Sequence, residues 1–401
     1  MTQTKNLNIQ KFLKIIYQQE KLFLFELIFF ILLIFAIPFS ETAKTVTFLF
    51  VSIIFVIRHT YHKKIPLRTT PFLYGLIAYL LVGFVISFYA VDIRESFKGW
   101  LDILCFSIIY FVLINDFDDP IIKEIVEWSL LISTCLAVGW GILVWKLLWG
   151  KPYLQIISLG YYNHTAIYLG SIFILSFCKL LWTFENKDCV KLKAILLLIT
   201  GIIFVGILLT TSRATILGIV SVLIYISLYK KITKRLIFSL LILLLAGVIT
   251  IGISHDFQKR IFQVGPLKSR IHIWEAGMKA FKDKPFLGYG LRCFGKIDDS
   301  YYGKFIADKV DHAHNLFINN LVQMGIVGFI ALLYLLYSAY ITARRASNDY
   351  HRLTIYSLLI FVIVNGLFNT TIRWEHAIAF VMLVYLLDLK NQNEKEKVII
   401  Y

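Results

Sequence analysis

From residue 22 to residue 389 the chain is a succession of apolar runs, most of them separated by short polar stretches. A helix needs roughly 20 mostly apolar residues to cross about 30 Å of hydrocarbon, because it rises about 1.5 Å per residue. The runs are continuous rather than alternating, which argues against a β-barrel. Candidate spans cover approximately 22–38, 44–57, 71–90, 97–115, 121–149, 164–182, 193–209, 214–229, 236–254, 314–342, 353–371 and 374–389. They predict an all-α, polytopic membrane protein of about twelve transmembrane helices. Composition agrees: 58% of the 401 residues are hydrophobic and only 16% are charged, against about a quarter charged in soluble proteins. A soluble enzyme, a disordered chain and a secreted disulfide scaffold are thereby excluded.

Lys and Arg number 41 against 25 Asp and Glu, a formal net charge of +16. In a membrane protein such an excess belongs in loops beside anionic lipid head groups, and no nucleic-acid partner is expected. Four basic clusters fall on one side if both termini are cytoplasmic: Arg58, Lys63, Lys64 and Arg68; Lys187, Lys191 and Lys193; Lys230, Lys231, Lys234 and Arg235; and Arg344, Arg345 and Arg352. Lys5, Lys11, Lys14 and Lys21 precede the first run, which reads as an uncleaved first helix. The five cysteines show neither a disulfide framework nor metal spacing. Glu26, the clearest ionisable residue inside a span, lies near the cytoplasmic end.

The opposite face then carries short loops and one long insertion, residues 255–313, in what is otherwise a single integral domain over 1–401. Within the insertion, Ile271, Trp274, Met278 and Phe281 recur at helical spacing. They predict an amphipathic helix at the outer interface, with Ser269 as its cap, Pro285 after its end, and Gly288 and Gly290 in a tight turn. Three polar groups lie at the outer ends of spans, where charge is costly and commonly functional. Thr211-Ser212-Arg213 sits in a turn between two spans; Arg213 reads either as a snorkelling residue or as a fork for a phosphate. Arg270 reads either as a lipid contact or, near a helix N-terminus, as part of an anion site. Asp311-His312-Ala313-His314-Asn315 opens span ten. His-x-His on a helix diverges and no further ligand is spaced to complete a metal site. Asn315, Asn319 and Gln323 make a polar stripe, either for interhelical hydrogen bonds or as the floor of a cleft with a histidine at its mouth. Two arginines for an anion and one histidine for a hydroxyl proton suit glycosyl transfer from a lipid diphosphate donor.

Thr211-Ser212-Arg213, Arg270-x-x-x-Trp274, Pro285-Phe286-Leu287-Gly288-Tyr289-Gly290, His314-Asn315 and Met324-Gly325-Ile326-Val327-Gly328 occur in an order that resembles the O-antigen ligase and polymerase superfamily. Asn163-His164-Thr165 looks like a further family position. The resemblance implies a bacterial inner-membrane glycosyltransferase with its active site facing the periplasm and no metal or nucleotide-sugar cofactor. Its donor would be an undecaprenyl-diphosphate-linked glycan and its acceptor the lipid A-core, with membrane lipids around it. Carried over, Arg213 and Arg270 would hold the diphosphate and His314 would be the base. Asn163 and Asn315 would contact substrate, and the anomeric centre would invert. An O-antigen polymerase and a protein O-oligosaccharyltransferase are related alternatives. A lipid-linked-sugar transporter is the non-enzyme alternative, though a transporter more often shows broken helices or ionisable residues at mid-span.

Overall fold

The computed structural model describes residues 21–62, 68–185, 190–230, 265–302, 310–346, 348–372 and 374–386. They form twelve α-helices and no strand. The helices are α1 Lys21–Phe39, α2 Glu41–His62, α3 Pro71–Phe88, α4 Ile93–Asp116, α5 Pro120–Gly141, α6 Tyr162–Glu185, α7 Val190–Leu209, α8 Arg213–Tyr229, α9 Gly265–Asp283, α10 Leu316–Arg345, α11 Asp349–Gly366 and α12 Trp374–Leu386. Among the described residues, eight are long and apolar enough to cross a membrane, and α8 is a shorter apolar helix of 17 residues. The expected span at 236–254 and the first ten residues of the long insertion lie outside the described residues.

Polar residues at the chain reversals set where helices start. Thr70 accepts from the Leu73 N–H and precedes Pro71 at the first position of α3. Asp92 caps α4, Asp119 caps α5 ahead of Pro120, and Asn348 caps α11. Each side-chain oxygen takes a backbone donor that the first turn leaves unpaired. Helix α6 is enclosed on every face, with its side chains buried from His164 to Leu181 save for Lys179, while α3 lies along α10 and α8 along α11.

The two ends of the bundle differ in chemistry. At one end, acids and bases pair across helices. The Arg58 guanidinium contacts Glu26 at 2.7 Å and Asp116 at 2.9 Å; Lys179 meets Glu127 at 2.6 Å; and Arg68 and Lys123 share Asp118. Glu26 is fully buried in this network, so it belongs to a structural cluster and not to a path through the bundle. The Glu127–Lys179 pair, further held by the Tyr350 hydroxyl at 2.6 Å, escapes the sequence reading.

At the other end, residues 265–302 fold over the helix termini around a small core of their own. That core comprises Ile273, Ala276, Ala280, Tyr289, Phe294 and neighbours, seated against Val322 of α10. One expectation changes here. Ser269 lies inside α9, which already runs from Gly265, so it is not the cap. The face that α9 turns to the protein is Ile273, Ala276, Gly277 and Ala280, while Ile271 and Met278 remain exposed. The small residues win that face because α9 packs closely on α10: a Cβ on Gly277 would stand 3.1 Å from Ile318 and 3.3 Å from Val322. The helix does end before Pro285, as expected.

Helix α10 is broken at Gly325, whose φ of +63 lies in the left-handed region. The segment 285–290 lies across the break. Tyr289 N–H donates to the Val322 carbonyl at 2.9 Å and Gly290 N–H to that of Gln323 at 2.8 Å. In return the Pro285 and Phe286 carbonyls accept from Ile326 and Val327 at 2.8 and 3.3 Å. The loop thus satisfies backbone groups that the break frees, an obligation that is strict where water is scarce. Backbone this close leaves no space for side chains: a Cβ on Gly288 would lie 2.6 Å from Val322 O, and one on Gly325 2.2 Å from Phe286 O. Although broken spans are associated above with transporters, this break is filled by the protein's own loop.

Candidate active site

The residues singled out from sequence lie at this second end, on four separate pieces of chain. Arg213 is the first residue of α8 and is exposed. The turn before it is tight: Thr211 has φ +59, and Thr210 Oγ1 donates to the Ile207 carbonyl at 2.6 Å. Ser212 precedes the helix, and its hydroxyl donates to Asn163 Oδ1 at 3.0 Å. Asn163 therefore ties the start of α6 to the start of α8, one residue from Arg213. Below it the polar contacts continue, from Ser212 to Thr215 at 3.2 Å, from Asn365 Nδ2 to Thr215 at 3.0 Å, and from Asn369 Nδ2 to Asn365 at 2.7 Å. Asn365 and Asn369 pass unnoticed in the sequence, although two amides one turn apart at the end of an apolar run are a readable signal.

His314 occupies the loop before α10. Its φ of +48 is unusual for a residue with a Cβ. The loop is fastened on both sides: Trp274 Nε1 of α9 donates to the Ala313 carbonyl at 2.9 Å, and Ala313 N–H donates to Asn319 Oδ1 at 3.0 Å. This gives Arg270-x-x-x-Trp274 a physical sense. Trp274 holds the histidine loop, and one turn earlier Arg270 bears on His314. Burial, first, and the Arg270 charge, second, push the His314 imidazole down from 6.5 to about 4. The side chain is therefore neutral at neutral pH.

Asn315 is the N-cap of α10. Its Oδ1 accepts from Phe317 and Ile318 N–H at 2.9 and 3.0 Å, and its Nδ2 donates to the Leu367 carbonyl at 3.0 Å. It is 7% exposed, so it shapes the loop and helix start. Because the helix begins only at Leu316, the expectation that His312 and His314 diverge does not hold. Their rings lie 4.2 Å apart, centroid to centroid. The contact continues inward, with His312 to His164 at 6.1 Å and His164 to His376 at 5.5 Å. His376 Nε2, on α12, donates to the Thr370 carbonyl at 2.9 Å, and the residue is almost wholly buried. A lone histidine in the last apolar run gives no sign of this in sequence. Among the described residues, no three His, Cys, Asp or Glu side chains are grouped to hold a metal ion.

The arrangement thus offers one cation at the start of α8, another in the second turn of α9, and a neutral imidazole in a loop pinned by a tryptophan. No curated protein matches the chain. Residues 194–333, the stretch that holds Arg213, Arg270 and His314, match the family model described as O-antigen ligase. That segment, about a third of the chain, is what makes this protein similar to the O-antigen ligase family.

Proposed function

We propose that the protein is an inner-membrane glycosyltransferase that moves undecaprenyl-diphosphate-linked O-antigen polysaccharide onto the lipid A-core on the periplasmic side. The observation that carries this reading is that the segment similar to the O-antigen ligase family holds Arg213, Arg270 and His314. The Arg270 charge also acts on the His314 imidazole, which it helps to keep neutral.

In the proposed step, His314 takes the proton of an acceptor hydroxyl, whose oxygen forms a bond to the anomeric carbon. The bond from that carbon to the donor phosphate breaks, and its electron pair leaves with the diphosphate. Arg213 and Arg270 hold the resulting charge with paired donors. One displacement of this kind inverts the anomeric centre. Both substrates are anchored in the bilayer, so holding them in register contributes much of the rate. A base pushed down to about 4 is weak before substrate binds. When a diphosphate pairs with Arg270, the repulsion it exerts on an imidazolium is offset and the imidazole regains that smaller part of its basicity.

Lipopolysaccharide profiles of a deletion strain test the reading. Loss of smooth bands with accumulation of lipid-linked polymer is the expected result. A core bearing a single repeat unit would mark a polymerase instead, and an unchanged profile would point to another acceptor or to a transporter.

A further inference from the structure

A second polar recess opens at the same end of the bundle, between α2, α4, α10 and the chain around residue 292. Its outer part is a cleft of about 400 Å³ with Lys44, Ser158, Asp102 and Arg292 in its wall. That volume lies within the roughly 300–1,000 Å³ of small-molecule sites. Below it is a smaller pocket of about 60 Å³, which shares Asp102 and Arg292 with the cleft and is floored by amides of α10. The inner pocket exceeds several times the roughly 10–15 Å³ that one water requires.

Three independent observations bear on what the recess takes. First, its charges are balanced. Lys44 pairs with Glu41 at 2.7 Å, and Arg292 reaches Asp102 Oδ2 through Nε at 3.1 Å and Nη2 at 2.6 Å. A recess of paired charges has little net pull on an anion but many donors and acceptors for hydroxyl groups. Second, two buried oxygens in the inner pocket have no protein partner, Asn320 Oδ1 and Thr370 Oγ1. Their residues are 5% and 3% exposed. Buried polar atoms are satisfied as a rule, and one left open toward a cavity expects a partner from it. The amide of Asn320 is oriented for this, since its Nδ2 is already engaged by the Tyr79 hydroxyl at 2.9 Å. Third, Arg292 is held at φ +57. Among the described residues the only other non-glycine positions with positive φ are Thr211 and His314. Strain of this kind concentrates at functional sites.

We infer that the cleft and inner pocket form a binding site for an uncharged, hydroxyl-rich glycan. In terms of the reaction proposed above, on which this clause rests, it is the subsite for the sugars of the acceptor. Its inner end points to that role: Leu316, two residues after His314, and Thr370, whose carbonyl contacts His376, both line it. A glycan seated there presents its terminal hydroxyl toward the histidine loop.

The probe is a neutral outer-core oligosaccharide fragment, free of lipid, phosphate and acidic sugars, titrated onto the full-length protein in nanodiscs and followed by saturation-transfer NMR. Asn320→Leu and Thr370→Val each remove a hydrogen-bonding oxygen at nearly constant volume. Each is expected to weaken binding about tenfold and to raise the acceptor KM with kcat retained, and Thr370→Ser is expected to restore both. Undiminished binding by the two variants, or no binding by wild type, overturns the site and leaves the recess to water. His314→Ala is expected to bind the oligosaccharide as wild type does. If it does so and also transfers normally, the glycan site stands and the catalytic reading of His314 falls.

Discussion

At the scale of single residues, the proposed chemistry rests on His314 and two arginines. Because burial and Arg270 lower its pKa to about 4, the protonated, inactive form of His314 gains weight only as pH falls toward that value. In the free enzyme, kcat/KM is therefore expected to hold through pH 6 and decline only near pH 4. A decline centred near 6.5, the unperturbed value, would mean that His314 is not the group titrating. Replacing His314 by Ala is expected to cost on the order of 10²–10⁴ in rate with donor binding largely kept. Arg213→Ala and Arg270→Ala are expected to abolish or strongly reduce transfer with insertion intact, and Lys at either position to restore only part of it, since the planar fork is lost. Full transfer by Arg213→Ala in vitro would make it a snorkelling residue. Residue types and their order along the chain made these three legible in sequence. Asn315 was legible only as polar. Its work as a cap depends on where α10 begins, and Asn315→Ala is expected to cost about 1 kcal/mol of stability, read as a lowered thermal midpoint, with Asn315→Asp sparing the cap.

At the scale of elements, the most informative contact joins two glycine motifs that the sequence shows only as an ordered pair. Their backbones are hydrogen bonded to each other, and backbone pairing leaves no mark in a sequence beyond the absence of a Cβ at Gly288 and Gly325. Gly325→Ala places a Cβ 2.2 Å from the Phe286 carbonyl oxygen at a φ of +63. The expected cost exceeds about 2 kcal/mol, seen as a lower unfolding temperature in detergent and loss of protease resistance in 285–302. A wild-type melting curve for this variant would mean that the two motifs are not joined. The face that α9 turns to α10 was not legible for a related reason. Periodicity picks out Ile271, Trp274, Met278 and Phe281, whereas close packing on α10 selects small residues, Ala276, Gly277 and Ala280.

At the scale of the whole molecule, hydropathy identified most of the helices, because crossing a bilayer imposes a length and a composition that any reader of the chain recognises. It overlooked what happens within them: the break in α10, the paired charges of Glu127 and Lys179, and the run of histidines from α12 to the loop before α10. All of these depend on neighbours remote in sequence. Orientation rests on the basic clusters and is testable apart from catalysis. Cysteine labelling is expected to reach residue 290 from the periplasm and residue 232 from the cytoplasm. The reverse pattern would remove the proposed roles of Arg213, Arg270 and His314 together, since the proposed reaction takes its donor on the periplasmic side.

The segment 285–290 also constrains traffic. To swing away from α10 it would have to abandon four backbone hydrogen bonds, to Val322, Gln323, Ile326 and Val327. Stranding such groups away from water costs roughly 1–3 kcal/mol each. The loop is therefore a fixed lintel and not a door. In the proposed reaction, a polymer on a polyprenyl chain would have to pass beside it, sideways from the lipid, and the finished product would have to leave the same way. Amide exchange offers the signature: the protons of Tyr289, Gly290, Ile326 and Val327 are expected to exchange slowly and as one set, whether or not a substrate is bound.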